Sequence, residues 1–156
     1  MTDHPFAINL HSQLDFFKRG TASVTEVDST FTPQPAMMSV AAHFAHVAGT
    51  VDWFVTGAFS ATGFDLNFAA HEAVYRQVTS LTHARKLVDE AYGRAISRLE
   101  ALPLSELQKP IVAGPIMGGA PRLALVGGLG DHTAHHRGAL AVYARLCGRV
   151  PAMPYA

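Results

Sequence analysis

A histidine pair near the C-terminal end is the part of the chain best suited to chemistry. His132 and His136 stand four residues apart. In a helix this spacing stacks them one turn above another, about 6 Å along the axis, so both imidazoles can converge on one metal ion. Such a pair supplies two ligands and needs a third. The chain has nine histidines, so a third is available.

His43 and His46, three residues apart, are the candidates for the third ligand. They lie on nearly the same face of a predicted helix, and either could point at the pair. A lone histidine on an apolar face is more often a hydrogen-bonded core residue. His132 and His136, however, belong to a series with the four-and-three spacing of positions that face a bundle interior, and two imidazoles in an apolar core are costly without a shared partner. That series is Leu125, Leu129, His132, His136, Ala139, Tyr143 and Leu146.

The elements that must position these histidines are helices. Apolar periodicity, with breaks at prolines and glycines, predicts long helices over residues 6–30, 36–60, 80–102 and 121–147 and a shorter one over 70–78. Gly148 is expected to close the last helix. Residues 110–121 are predicted to form a loop, with room for a short extended pair. The pattern predicts one all-α bundle domain over residues 1–156.

Composition narrows the classes of partner. Twelve basic and twelve acidic residues give zero net charge, which argues against a nucleic-acid partner. Only 15% of residues are charged and 49% are apolar, so we expect part of the surface to be covered by a second copy in a homodimer. A single cysteine, a start without the pattern of a signal peptide and the lack of a long apolar run predict a cytoplasmic protein outside the membrane.

Two sequence blocks resemble the DinB/YfiT-like family. The specific block is DHTAHHRGAL at residues 131–140, continuing to Pro151, and the other is SVAAHFAHVA at residues 39–48 with Trp53 downstream. The resemblance implies a four-helix bundle with up-down-down-up order, usually dimeric. It also implies a divalent ion, commonly zinc or nickel, on three histidines that map to His46, His132 and His136, with His43 as a neighbour. Ala139 departs from the family pattern, which often has glutamine there.

Several neighbours of these histidines carry expectations of their own. Asp131 and His135 lie about 100° around the helix from the ligands and are expected at the surface. Arg137 could meet an anionic substrate or an acid on another helix, and Gly138 is expected where another helix approaches closely. Trp53 is expected in the core, with a place in a cavity wall as the alternative. His71, Glu72 and His83 are expected at the surface.

Three neutral nitrogen ligands leave an open coordination position, whereas closed structural zinc sites use four protein ligands. We therefore expect a divalent-metal-dependent enzyme acting on a small molecule. The resemblance includes thiol-dependent S-transferases and isomerases, which implies activation of a low-molecular-weight thiol for S-conjugation. Two alternatives are a hydrolase using metal-bound water, with Asp52 as its general base, and a non-catalytic stress-associated protein with a structural metal site.

Overall fold

The fold is all-α, as predicted. A computed structural model describes residues 4–156, so the first three residues of the predicted 1–156 domain lie outside the described residues. Six α-helices and two short 3₁₀ turns, Glu26–Asp28 and Arg122–Ala124, make up the described regular structure. The helices are α1 Pro5–Gly20, α2 Val40–Phe59, α3 Phe68–Tyr75, α4 Leu81–Glu100, α5 Leu104–Leu107 and α6 Leu125–Leu146. None of these helices is both long enough and apolar enough to span a membrane.

The four longest helices surround one core. Helix α1 packs against α4 and α6, and α2 packs against the same two helices, so α1 and α2 lie at opposite corners of the bundle. The largest fully buried side chains include Phe17, Phe44, Tyr92, Leu129 and Tyr143. Because α2 and α6 are neighbours, the histidines of the second helix face those of the last helix. The up-down-down-up order of the helices stays a prediction.

Polar side chains fix where α2 and α4 begin. Ser39 accepts a hydrogen bond from the backbone N–H of Ala42 at 3.2 Å, so α2 begins at Val40 and not at residue 36. Ser80 caps α4 in the same way, through the N–H of His83 at 3.2 Å. Each cap satisfies a donor that the helix cannot, and is worth about 1 kcal/mol.

Helix α1 ends at Gly20, so the predicted extension to residue 30 is wrong. The chain turns because Thr25 and Asp28 bond each other: the Asp28 carboxylate accepts from the Thr25 backbone N–H at 2.8 Å. Arg149 then donates to the same carboxylate at 2.8 Å. These side-chain bonds favour a 3₁₀ turn over continued helix, and Val27 within that turn is 83% exposed.

Helix α6 ends in a Schellman motif, in which Gly148 closes the helix as expected. Gly148 has a φ of +75°, its N–H bonds to the carbonyl of Arg145, and the Arg149 N–H bonds to that of Ala144. The series from Leu125 to Leu146 was predicted to face the bundle interior, and this prediction is wrong for its last member, because Leu146 is 58% exposed. A straight helix drifts about 20° per heptad from a strict seven-residue repeat, so Leu140 and Ala144 are buried beside Tyr143 instead.

The segment before α6 contains the short extended pair that the sequence allowed. Pro110 and Pro121 form an antiparallel bridge, and the Ile111 N–H bonds to the Ala120 carbonyl at 2.8 Å. Ile111 is buried, so this pair packs on the bundle without altering the all-α class.

Candidate metal centre

Three predicted ligands meet between α2 and α6. One nitrogen each of His46, His132 and His136 lies within 4.8 Å of the other two. The Nε2 atoms of His46 and His132 are 3.0 Å apart. Two nitrogens bound to one zinc ion at about 2.0–2.1 Å can be separated by up to about 4.2 Å, so this distance suits a shared ion. The group can hold a metal ion, with ligands from two separate segments of the chain.

Burial keeps these imidazoles neutral. Burial first, and repulsion from neighbouring protonated rings second, lower the pKa of His132 to about 4 and that of His136 to about 2. Burial also lowers the pKa of His46. Neutral imidazoles have lone pairs to donate, and a set of three nitrogens suits zinc, nickel and other borderline ions. The residues present therefore fit a divalent ion.

His43 lies behind this group. Its ring is 6% exposed, packs 5.2 Å from the ring of His136 and meets Tyr143 edge-on at 4.9 Å. Burial lowers the pKa of His43 to about 4, so it too is neutral at pH 7. His43 is outside the group of three and supports His136 by packing, in agreement with its prediction as a neighbour.

A cavity of about 400 Å³ opens beside the histidines. Its walls come mainly from α2 and α3, and most of them are apolar or aromatic. The lining residues are Met38, His46, Thr50, Trp53, Phe54, Phe68, His71, Glu72, Tyr75 and His132. Two of the three histidines therefore border a space large enough for a small molecule.

The DinB superfamily model matches residues 18–140. The chain belongs to the DinB superfamily. The matched region contains His46, His132 and His136, as well as the whole of α2 and the cavity wall. Among curated proteins, none matches this chain.

In this DinB protein, two glycines of α2 allow aromatic rings from the following segment to pack closely against that helix. A Cβ at Gly49 would lie 2.2 Å from a carbon of the Tyr75 ring, and a Cβ at Gly57 would lie 2.2 Å from the Phe64 ring. Between them, the Trp53 indole N–H donates to the Asp65 carbonyl at 2.7 Å. Trp53 therefore lines the cavity and anchors the wall, so its expected place in the core was wrong.

His71 and Glu72 line the cavity as well; Glu72 is exposed, as expected, and His71 is half-buried. His71 Nε2 is 3.0 Å from a carboxylate oxygen of Asp65, and Glu72 is paired with Arg76 at 2.7 Å. One signal in the sequence could have found them. Phe68, His71, Glu72 and Tyr75 follow helical spacing, which puts them on one face of a short helix that must cover something.

Asp52 is directed away from the cavity. Its two carboxylate oxygens accept hydrogen bonds from Arg94 on α4 at 3.0 and 2.7 Å. It is not among the lining residues. The nomination of Asp52 as a general base was therefore wrong, and its ion pair joins α2 to α4.

The remaining neighbours fall into two groups. Asp131 and His135 are exposed, as expected. Arg137 donates to the Tyr155 hydroxyl at 3.0 Å and lies over the Tyr155 ring, and it forms no ion pair with an acid of residues 4–156. A Cβ at Gly138 would meet nothing within 4 Å among the described residues, so the expected close helix is not found within the chain.

Proposed function

We propose that this chain is a metal-dependent transferase that conjugates a low-molecular-weight thiol to a small electrophile. Its ion, zinc or nickel, would be held by His46, His132 and His136. One observation carries the proposal: the three-histidine group borders an apolar cavity of about 400 Å³. Three protein ligands leave a position for a further ligand, and the cavity supplies the space for that ligand and a second reactant.

The protein's own groups suit a thiolate. A bound divalent ion supplies positive charge that favours a thiolate over a thiol. His46, His132 and His136 are neutral, so the ligand set adds no negative charge that would oppose the sulfur. The apolar walls lower the local dielectric constant beside a bound ion, which strengthens these electrostatic effects. In the conjugation, sulfur bonds to the electrophilic carbon, and the bond to the leaving group breaks with its electron pair leaving on that group.

His71 is the residue we assign to accept the thiol proton. Ionised Asp65 only accepts hydrogen bonds, so His71 Nε2 donates to it over 3.0 Å and Nδ1 keeps a lone pair. His71 lines the same cavity as His46 and His132. Asp65 is the positioning residue, since it fixes which nitrogen of His71 carries the proton.

The test begins with elemental analysis of protein from its native source. Thiol binding is then followed by calorimetry over a range of pH, with and without the metal found, and conjugation to an electrophile is timed in parallel. We expect about one ion per chain, a lowered thiol pKa and a metal-dependent rate. Equal thiol pKa and rate with and without metal would contradict the proposal. A large loss of melting temperature on chelation, without conjugation under any condition, would instead indicate a structural site.

We also propose a homodimer. Two observations support this proposal. The charge content of the chain is low, and two apolar side chains of α6 are exposed, Val142 at 56% and Leu146 at 58%. Sedimentation equilibrium at micromolar concentration tests the proposal. A mass of 16.7 kDa at all concentrations would contradict it.

A further inference from the structure

The cavity wall opposite the histidines has the chemistry to choose between electrophiles. We propose that it accepts an uncharged, flat aromatic electrophile and rejects an anionic one of the same size. This inference rests on the proposed function for its reaction, but its binding test does not need a thiol.

The first support is the aromatic character of the wall. The Trp53 ring lies 5.1 Å from that of Phe54 and 5.9 Å from that of Phe68. Phe64 braces Trp53 from behind at 4.6 Å. Phe68 is 54% exposed although its ring lines the cavity, so apolar surface is left uncovered at this wall. A flat ring gains stacking and apolar burial against such a surface.

The second support is the charge of the wall. Glu72 is the one lining carboxylate among residues 4–156, and no lysine or arginine lines the cavity. The nearby Arg76 is occupied, because its guanidinium bonds Glu72 and the carbonyls of Ala36 and Met37. A ligand carboxylate at this wall would lose its water, find no cation and face Glu72. It could be neutralised at the histidine end alone, where the thiol is proposed to bind.

Two hydroxyls give the wall its neutral polarity. Thr50 and Tyr75 line the cavity, and neither side chain makes a hydrogen bond within the described part of the chain. Burial raises the pKa of Tyr75, with a smaller contribution from the charge of Asp52, so this hydroxyl keeps its proton at neutral pH. Both hydroxyls can donate to a nitro or carbonyl oxygen on an uncharged ring.

A matched pair of unreactive ligands tests the binding. Trp53 is the single tryptophan of the chain, so quenching of its fluorescence reports ligand at the wall. We expect 1,3-dinitrobenzene to bind the metal-free full chain, which offers a carboxylate no open coordination position, about tenfold more tightly than 3,5-dinitrobenzoate, which adds one carboxylate to the same ring. Equal affinities, tighter binding of the benzoate, or binding of neither ligand would overturn the proposal.

Two substitutions locate the selection on the wall. Phe68→Ala should weaken 1,3-dinitrobenzene about threefold to tenfold through lost stacking, while Val74→Ala, at an exposed position of α3 outside the lining, should leave it unchanged. Glu72→Gln should strengthen the benzoate by about threefold and leave the neutral ligand unchanged. If Glu72→Gln left the affinity for the benzoate unchanged, Glu72 would not repel the carboxylate, and the proposed charge selection would be overturned.

A pair of reactive electrophiles tests whether the same selection operates during turnover. With 1-chloro-2,4-dinitrobenzene, the thiol sulfur bonds to the ring carbon, the carbon–chlorine bond breaks, chloride leaves with the electron pair and the thiol proton goes to His71 and then to solvent. We expect a higher kcat/KM than with 4-chloro-3,5-dinitrobenzoate after correction for their uncatalysed rates. Selective binding without metal-dependent conjugation would defeat the proposed function alone. Conjugation with equal binding of both ligands would defeat the cavity proposal alone.

Discussion

The two ends of the cavity are built from different kinds of structure. The histidine end comes from α2 and α6, two helices of the bundle that pack against each other. The wall facing it combines residues of α2 with residues of α3, and α3 has no buried residue and is held by side chains inserted against α2. Ligands on packed helices have little freedom to move, whereas a wall with few buried contacts can adapt. The difference suits a fixed ion at one end and a variable substrate at the other.

Removal of one histidine ligand should abolish metal binding at the histidine end of the cavity. His136→Ala leaves two ligands, so metal content should fall from about one ion per chain to near zero, with affinity reduced more than about 10²-fold. Elemental analysis after dialysis measures the change. His135→Ala is the control, since His135 is exposed and outside the group of three. Retention of a full ion by the His136 variant would remove that residue from the site.

Loss of the proton acceptor should lower the conjugation rate without changing the metal content. His71→Gln keeps polarity but cannot take a proton, so the conjugation rate should fall by about 10²-fold and become less dependent on pH. Asp65→Asn should give a smaller fall, because it disturbs only the orientation of His71. Stopped-flow rates over a pH series measure both. A slower enzyme with an unchanged pH profile would make His71 a structural residue.

A methyl group on α2 should displace the wall while sparing the metal. In Gly49→Ala the added Cβ would meet the Tyr75 ring at 2.2 Å, so Tyr75 must move and α3 with it. We expect about tenfold weaker binding of 1,3-dinitrobenzene and an unchanged metal content. Gly93→Ala is the control, because nothing lies within 4 Å of its added Cβ and alanine favours a helix by about 1 kcal/mol. Metal loss in the Gly49 variant would show that the two ends are not independent.

Acid should destabilise the metal-free protein through its buried histidines. An unfolded histidine binds a proton near pH 6.5, whereas burial holds the folded pKa of His43 and His132 near 4 and that of His136 near 2. The unfolded chain binds more protons between these values, so the free energy of unfolding should be fully present above pH 6.5 and fall as pH drops toward 4. Urea denaturation at pH 7.5 and 5 measures it. A constant free energy over this range would indicate that the rings are not buried as described.

The smallest effect is expected at Asp52. Asp52→Asn breaks its pair with Arg94, but the two side chains are 43% and 58% exposed, so the loss should be about 0.5 kcal/mol or less. Conjugation should proceed at the unchanged rate. Chemical denaturation and the conjugation assay measure the two results. A large loss of activity would restore Asp52 as a general base and favour the hydrolytic alternative.

The sequence alone determined the helical class and the places where chemistry concentrates. Apolar periodicity and breakers located the four long helices, and the spacing of His132 and His136 put both on one helix face. These features are local, because helical spacing and caps act over a few residues. The same local reasoning failed at Gly20, where side-chain bonds between Thr25, Asp28 and Arg149 bring distant segments together.

Tertiary structure decided what each face meets. His43 and His46 share a face, and only the packing of α2 on α6 brings His46 to the pair while His43 lies behind His136. The same is true of the wall, since Gly49 of α2 receives the ring of Tyr75 from the end of α3, which lies 26 residues further along the chain. Sequence spacing fixes the direction of a side chain from its own helix axis. The partner it finds depends on which helices lie side by side, and that is set by the packing of the whole core.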